Sequence, residues 1–575
     1  MSLLAIVLFS AAFLLGAYRV YGRWLQSRLA LDPDAETPAV RLRDGADYVP
    51  IEPRFLLGQH FSAIAAAGPI VGPILAGAMF GWAPALAWIL IGAVFIGGVH
   101  DMASLVASIR HGARSIADVV REHMTRRAYL LFLAFIWLAL VYIVVAFTDI
   151  TASSFVGAQT LGNGQRVSGA GIATSSLLYL ALPILMGLLL RYTRLSLNVA
   201  TLIFVPLVGV TIWVGQYIPF DLAGILGVSE EQAHRVWDVL LLVYCFAAAL
   251  APMWLLLQPR GHLGGYFLYA TLGGGALGVA LGGKAAVYPA FVGWTSARGD
   301  ALLPMLFITI ACGACSGFHS LIASGTTSKQ LRRETDARSV GYGAMLLEGF
   351  VAVVALCCVM VLPLNSALAA NPRPNFIYAQ GIGSFLGALG IPPAYGVAFA
   401  LMAFTTFVYD TLDVCTRLGR YILQELLGRT DRVARWVATA VTAGAPVFFV
   451  MRTAVDAHGK PVPAWMTFWS LFGASNQLLA ALALLGVTVW LWRTQRARWI
   501  WLVTGAPTVW MYAMSVWALS GLVTKAFARN WADPVPWVGA VLLVLAALML
   551  VEAVGAFGRP SLSPPRPERV PAGTA

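Results

Sequence analysis

His60-Phe-Ser-Ala-Ile-Ala-Ala-Ala-Gly-Pro-Ile-Val-Gly-Pro-Ile-Leu-Ala-Gly77 is apolar enough to lie in a lipid bilayer, yet two Gly-Pro steps stand at its centre. Each proline lacks an N–H and clashes with the preceding turn, so a helix through this stretch loses hydrogen bonds. A carbonyl freed in hydrocarbon is costly unless another partner replaces the bond. Transporters place substrate and ion sites at such breaks. The stretch therefore predicts a broken membrane helix with a substrate site at Gly68, Pro69, Gly72 and Pro73; a kink used only for packing is the alternative.

The composition is that of an all-α membrane protein that crosses the bilayer many times. The 575 residues are 59% hydrophobic and 11% charged, whereas soluble domains carry about 25% charged residues. The net charge of +12 does not predict a nucleic-acid partner, because the basic residues lie between apolar segments as orientation signals. All six cysteines fall in or beside apolar segments, and the Cys312/Cys315 pair lacks the second pair of a metal site. No metal, cofactor or disulfide is predicted.

Fifteen segments have the length and hydrophobicity of membrane-spanning helices. With the N-terminus outside, 29 of the 38 Lys and Arg residues fall on the inner side, which supports this count. Residues 376–390 are too short for a span. The predicted spans are 2–18, 58–80, 85–107, 128–157, 172–190, 196–217, 236–257, 262–283, 302–328, 339–362, 392–413, 434–452, 466–492, 499–523 and 536–557.

Several ordered motifs resemble those of the carbon starvation protein A (CstA) family. They include Thr37-Pro-Ala-Val40 through Asp47-Tyr-Val-Pro50, the Gly68–Pro73 break, Gly98-Val-His-Asp101, the run Phe307–Thr327, Gly341-Tyr-Gly343 with Glu348, and Phe472-Gly-Ala-Ser-Asn-Gln477. The resemblance extends from about residue 19 to 520. It implies import of peptides or, as in close relatives, of pyruvate with protons. It also implies a core of two inverted five-helix repeats, as in the amino acid–polyamine–organocation superfamily.

This sequence departs from the family pattern in two places, and both bear on the substrate more than on the fold. Gly261-His262 stands where an acidic-aromatic pair is expected, and the loop around 363–391 is short.

The predicted organisation has four parts. They are an N-terminal helix with an inside linker (1–57), a transporter core (58–413, with repeats 58–217 and 236–413), additional helices (434–557) and a disordered cytoplasmic tail (558–575).

The inverted symmetry makes its own predictions about the site. The segment 236–257 runs opposite to 58–80 and is interrupted near Ala251 and Pro252, which we expect to bind substrate with the first break. The segment 302–328 then faces that first break. Its hydroxyls at Ser320, Ser324 and Thr327 share one helical face and suit a hard cation or a substrate carboxylate. Bonding of each hydroxyl to its own helix is the alternative.

Ionisable side chains inside predicted spans are candidates for coupling, because burying them in a bilayer is costly. The coupling candidates are His60, Asp101, His319, Glu348 and Asp410. Glu348 has no basic neighbour within a turn, so it is either protonated or paired with another helix. Two further residues have local explanations: Asp413 would pair with Arg417 one turn away, and His100 would point away from Asp101.

Together these observations predict a secondary transporter of the bacterial inner membrane, with its C-terminus in the cytoplasm. The expected substrates are short peptides or pyruvate-like carboxylates taken up during carbon starvation. Protons are the expected coupling ion because the chain keeps several acids in its spans, with Na⁺ as the alternative. The rival classes are an intramembrane enzyme, a nutrient sensor and a Na⁺-coupled amino acid transporter. Beyond lipid and substrate no partner is predicted, and neither is an oligomeric state.

Overall fold

The computed structural model describes residues 1–44, 48–160, 166–297, 299–452, 454–455, 461–531 and 533–560. Thirteen helices among these residues are long and apolar enough to cross a membrane, or fourteen spans if the bent pair Pro53–Ile64 and Gly68–Phe80 counts as one. This confirms an all-α polytopic membrane protein. Of the predicted tail, residues 561–575 lie outside the described residues, as do 45–47 of the quoted linker motif.

Fourteen α-helices lie among the described residues up to Leu281. They are α1 (Leu3–Arg19), α2 (Tyr21–Arg28), α3 (Pro38–Arg41), α4 (Pro53–Ile64), α5 (Gly68–Phe80), α6 (Trp82–Gly92), α7 (Gly98–Arg110), α8 (Ile116–His123), α9 (Arg126–Ala152), α10 (Gly169–Tyr192), α11 (Leu197–Tyr217), α12 (Leu222–Leu226), α13 (Glu230–Leu250) and α14 (Leu257–Leu281). A π-helical turn, Ala93–Gly97, joins α6 and α7 into one span.

From Leu302 onward, the described residues form eleven α-helices. They are α15 (Leu302–Thr309), α16 (Ala311–Ala314), α17 (Gly317–Gly325), α18 (Ala344–Met360), α19 (Ala367–Ala370), α20 (Pro374–Gly387), α21 (Pro393–Leu427), α22 (Arg432–Val450), α23 (Ala464–Gln495), α24 (Ala506–Arg529) and α25 (Pro534–Phe557). Two short hairpins, β1–β2 (Ala158–Thr160 with Arg166–Ser168) and β3–β4 (Ala454–Val455 with Pro461–Val462), lie in connecting loops. The most deeply buried helix is α23, whose apolar stretch is wholly covered by its neighbours.

The first predicted break is present, at one place rather than two. Helix α4 ends at Ile64, α5 begins at Gly68, and the two axes bend by 48°. Pro69 sits in the first turn of α5, where a missing N–H costs little. Pro73 lies inside α5 without interrupting it. The break is therefore at residues 65–67, just before the first Gly-Pro step.

The two glycines of this stretch allow close packing of α5 against the segment 309–312. A Cβ at Gly68 would overlap the side chain of Cys312, and a Cβ at Gly72 would overlap the carbonyl of Thr309. Small residues let membrane helices approach in this way. The packing that was the alternative explanation for the Gly-Pro steps is thus realised at Gly68 and Gly72.

The segment predicted as one helix at 302–328 is broken into α15, α16 and α17, with gaps at Ile310 and at Cys315–Ser316. The prediction of one continuous helix over 302–328 is therefore wrong. Side chains of α23 bond with the opened backbone: the Asn476 side-chain oxygen accepts from the Phe318 N–H, and the Gln477 amide donates to the Phe307 carbonyl. Tertiary partners thus replace the lost helical bonds, as a break in hydrocarbon requires.

The interruption predicted inside the span 236–257 is at the end of a helix instead. Helix α13 runs unbroken to Leu250, and residues 251–256 form the turn into α14. The carbonyls that the helix end frees accept from arginines of α21 and α22. Arg417 donates to the carbonyls of Ala248 and Ala251, Arg420 to that of Ala249, and Arg435 to that of Leu250. The expectation of a second broken span here is wrong, and the repeat symmetry stays a prediction.

The described part of the linker after α1 lies against the bundle as a strap (residues 29–44 and 48–51). Its backbone N–H groups at Val49 and Ile51 donate to the carbonyls of Lys329 and Gln330, and the Thr37 hydroxyl donates to that of Leu331. Glu334 accepts from the Asp32 N–H and forms an ion pair with Arg110 at 2.8 Å. The strap thus closes over the end of the bundle where the α15–α17 segment finishes.

Candidate functional site

A buried ion-pair centre joins α14 to α21. The guanidinium of Arg260 lies 2.6 Å from an oxygen of Asp410 and 2.5 Å from an oxygen of Asp413. Tyr244 of α13 donates to Asp413 at 2.9 Å, and Ser62 of α4 donates to Asp410. Arg260 is 1% exposed, so its charge is compensated almost entirely by these two carboxylates.

This centre lines a small cavity of about 30 Å³, room for one or two water molecules. Its wall also includes His60, whose Nδ1 lies 2.8 Å from the Thr327 hydroxyl. Two nitrogens at this wall, Nε2 of His60 and Nη2 of Arg260, are buried and make no hydrogen bond with a described residue. The wall therefore holds a guanidinium that is paired with two carboxylates and keeps one nitrogen, Nη2, without a hydrogen bond to a described residue.

A second buried cluster connects α7, α17 and α18. Asp101 lies 2.7 Å from Nδ1 of His100 and 2.8 Å from Nδ1 of His319. On the other side of the His319 ring, Nε2 lies 3.2 Å from an oxygen of Glu348. All four side chains are fully buried. The result is a chain of acid–imidazole–acid contacts in which a proton can pass between neighbouring atoms.

Helix α4 carries His60 and Ser62 and packs against α14, α17, α18 and α21. It therefore contacts every helix that supplies a charge to the two buried groups, apart from α7. The break that ends α4 at Ile64 is about half a turn beyond Ser62. Movement of α4 relative to its neighbours would thus alter the cavity wall and the contact between Ser62 and Asp410 together.

Of the predicted coupling residues, four are brought to these two centres: Asp101, His319 and Glu348 to one, Asp410 to the other. His60 is at the cavity wall. The sequence left open whether Glu348 has a partner on another helix, and that partner is His319. Two local explanations are wrong. Asp413 pairs with Arg260 rather than Arg417, and His100 contacts Asp101 instead of pointing away.

The hydroxyls predicted to face the first break do not do so. Ser320 donates to the Gly317 carbonyl and Ser324 to the Ser320 carbonyl, both within α17. For these two hydroxyls the structure therefore has the alternative arrangement, in which each hydroxyl bonds with a carbonyl of its own helix. Thr327 follows the end of α17 and contacts His60. The three side chains consequently do not form the predicted cation site opposite Gly68, which packs on Cys312.

The predicted substrate residues are likewise divided. Gly68, Pro69, Gly72 and Pro73 are buried against neighbouring helices, and none of them lines the cavity beside Arg260. Pro252 is exposed in the turn after α13 and does not line it either, nor does Ala251. The sequence interpretation missed Arg260, the central cation. An arginine near the start of an apolar segment was the available signal, but it also fits a loop residue that orients the chain.

Comparison with known proteins agrees with this architecture. The family described as Carbon starvation protein CstA matches residues 2–377 and 364–518. The chain belongs to this family. It is 33% identical to the pyruvate/proton symporter BtsT of Escherichia coli K12, over 92% of this chain and 82% of that protein. It is also 33% identical to the peptide transporter CstA of the same organism, over 88% and 79%, and 30% identical to that of Bacillus subtilis, over 96% and 97%.

These relatives identify a multi-pass membrane transporter and not an enzyme. Two solved structures are similar over most of the chain. A manganese transporter of Eremococcus coleocola has a TM-score of 0.48 at 12% identity and covers 90% of this chain and 98% of its own. MhsT in complex with L-phenylalanine has a TM-score of 0.47 at 11% identity and covers 86% and 97%.

Proposed function

We propose that this protein is a proton-coupled importer of small carboxylates of the pyruvate class across the inner membrane, with its N-terminus outside. The observation that carries the proposal is the Arg260 guanidinium at the cavity wall with an unused Nη2. Arginine binds carboxylates through parallel N–H donors, which makes it the natural anchor for an anionic substrate. The two relatives of equal identity, one named for pyruvate and one for peptides, do not by themselves favour either substrate.

The cavity favours a small substrate. Its volume of about 30 Å³ holds one or two water molecules, so even pyruvate requires some opening, and a dipeptide requires far more. A short peptide is the second candidate because the family contains peptide transporters. In both cases the substrate carboxylate would compete with Asp410 and Asp413 for Arg260.

The second cluster supports the proposal of proton coupling. Four fully buried side chains, two acids and two imidazoles, can hold different numbers of protons without contact with solvent. Binding of a proton at Glu348 would change the charge that helices α17 and α18 share, and α4 packs against both. Occupancy of the cavity and protonation of the cluster are thereby linked through one helix.

The test is uptake into vesicles reconstituted with purified protein. An inward pH gradient should drive accumulation of labelled pyruvate, and an inward Na⁺ gradient at equal pH should not. Unlabelled dipeptides should compete weakly. Accumulation that requires Na⁺, or of dipeptide but not pyruvate, would reject the coupling ion or the substrate respectively. Turnover of either compound without a gradient would reject the transport assignment.

A further inference from the structure

A third group of ionisable side chains lies at the opposite end of the bundle from the strap, in the predicted topology at the outer face. It joins the last turns of α9 to the first turns of α13 through Asp149, His234 and Asp238. Nε2 of His234 is 3.3 Å from an oxygen of Asp149 and 4.0 Å from an oxygen of Asp238. None of the three lines the cavity beside Arg260, so this is a separate place in the molecule.

The Asp238 carboxylate lacks hydrogen bonds among the described residues. Asp238 is 1% exposed, and neither of its oxygens makes a hydrogen bond with a described residue. Asp149 is 3% exposed and accepts the backbone N–H of Trp465 at 2.7 Å. The potential ligand atoms of all three side chains lie within 4.8 Å of one another. Two buried carboxylates this close repel unless a proton or a cation lies between them.

The donor set matches a divalent transition metal. Imidazole nitrogen and carboxylate oxygen are both zinc ligands, and three such protein ligands leave the fourth position of a tetrahedral site to water. Ligand distances of about 2.0–2.1 Å place neighbouring ligands of a tetrahedral site roughly 3.3–3.5 Å apart. The His234–Asp149 separation already has this value, and the His234–Asp238 separation is 0.5 Å or so longer than the upper figure.

The surroundings support the same assignment. The Trp465 N–H holds one oxygen of Asp149 and so fixes the direction of the other, as outer hydrogen bonds do for metal ligands. His234 is 17% exposed in its side chain, which leaves a route for the ion from the solvent side. We propose that Asp149, His234 and Asp238 form a Zn²⁺-class binding site that connects α9 and α13.

A metal ion bound at this site would slow transport although the site does not line the cavity beside Arg260. Helix α13 also carries Tyr244, which contacts Asp413 beside Arg260. A metal bound to α9 and α13 at once would hold α13 in place, so Zn²⁺ added on the side of the site should slow uptake. The site itself does not depend on the proposed substrate or coupling ion, because metal binding is measured without transport.

The experiment is Zn²⁺ titration of the full-length purified protein, with its affinity tag removed, against a coloured chelator. We expect one Zn²⁺ per chain with micromolar affinity. Asp238→Asn and His234→Gln should each weaken binding at least tenfold. The comparison variant is His111→Gln, at the other described group whose side chains could hold a metal ion (His111, Glu122 and His123). This change should leave the affinity unaltered; loss of binding in this variant would place the ion there and overturn the proposal.

X-ray absorption of the Zn²⁺-loaded wild-type protein keeps the test decisive if a variant fails to fold. The expected spectrum has only nitrogen and oxygen ligands, with a single imidazole. Absence of binding at about 100 μM Zn²⁺, two imidazoles or a sulfur in the spectrum, or wild-type affinity in both site variants would each overturn the proposal. In the last case the two carboxylates share a proton instead.

Discussion

Replacing Glu348 by Gln tests the proton path most directly, since it removes one titrating group while keeping its size. Glu348 contacts Nε2 of His319 at 3.2 Å, and that ring also faces Asp101 at 2.8 Å. A protonated His319 would therefore keep a carboxylate partner after the change. We expect a loss of stability of only about 1 kcal/mol, the value of a single ordinary hydrogen bond.

The effect on transport should be much larger. One pH unit corresponds to 1.36 kcal/mol per proton, or about a tenfold concentration ratio for one proton per substrate. Wild-type vesicles with an inside one pH unit more alkaline, and with the membrane potential clamped at zero, should accumulate pyruvate up to about tenfold over protein-free vesicles. Glu348→Gln should only equilibrate it, because no proton is released at this position. Exchange of labelled for unlabelled pyruvate should continue, since exchange does not require that release.

The matched control is Glu552→Gln, at a carboxylate on α25 that accepts from Thr125 far from both buried groups. It should accumulate pyruvate as the wild type does. Tenfold accumulation by Glu348→Gln would show that Glu348 is structural, and the role would pass to Asp101, His319 or Asp410. Loss of exchange together with accumulation would point to a damaged substrate site instead.

Four further predictions follow from the structure. Arg260→Gln should abolish uptake and lower the unfolding free energy by about 3–5 kcal/mol, because Asp410 and Asp413 lose their cation. Adding Asp410→Asn and Asp413→Asn to this variant should recover its stability but not its uptake. Recovered uptake would contradict the role of Arg260. Gly68→Ala should lower the melting temperature and the uptake rate, because the added Cβ overlaps Cys312. Adding Cys312→Gly should restore both quantities. Gly387→Ala is the control, because a Cβ at that position meets open space. With all six native cysteines buried, Arg114→Cys should react only from the cytoplasm and Asn371→Cys only from outside; reaction from one common side would refute the topology. Burial lowers the pKa of His111 and lowers that of His123 to about 3, so both favour the neutral form in the folded protein. The stability of the α7–α8 loop should therefore fall as pH drops below about 6.5. Hydrogen exchange would show this as smaller protection factors, the ratio of intrinsic to observed rate, at pH 5 than at pH 7, and the difference should be absent in His111→Phe/His123→Phe.

The sequence predicted the membrane spans well because hydrophobic length is dictated locally by the bilayer. All fifteen predicted segments correspond to helical stretches of the structure, two of them broken. The break before Gly68 was predictable from the chemistry of proline. The breaks within 302–328 were not, because Asn476 and Gln477, which satisfy the opened backbone, lie about 160 residues away in the chain.

The site was predicted only in part, for a similar reason. The cost of burying charge identified Asp101, His319, Glu348 and Asp410 as special, whatever their partners. Partner choice, however, is a tertiary property. Arg417 was the nearest cation to Asp413 in sequence, but it bonds with the carbonyls at the end of α13, and the carboxylate pairs with Arg260 of another helix.

The strap has a consequence for how often the protein can release its cargo. Three hydrogen bonds join it to residues 329–331, where the α15–α17 segment ends. At about 1 kcal/mol each, breaking these three bonds costs roughly 3 kcal/mol, so at most about one molecule in a hundred and fifty is undocked at any moment. The fraction is smaller still because Glu334 and Arg110 also hold the strap, at the Asp32 N–H and the Leu29 and Ala30 carbonyls. If the exit opens beneath the strap, turnover is limited by the frequency of this undocking as much as by chemistry at the cavity. A chain with a longer linker that makes fewer hydrogen bonds would then close less tightly but turn over faster.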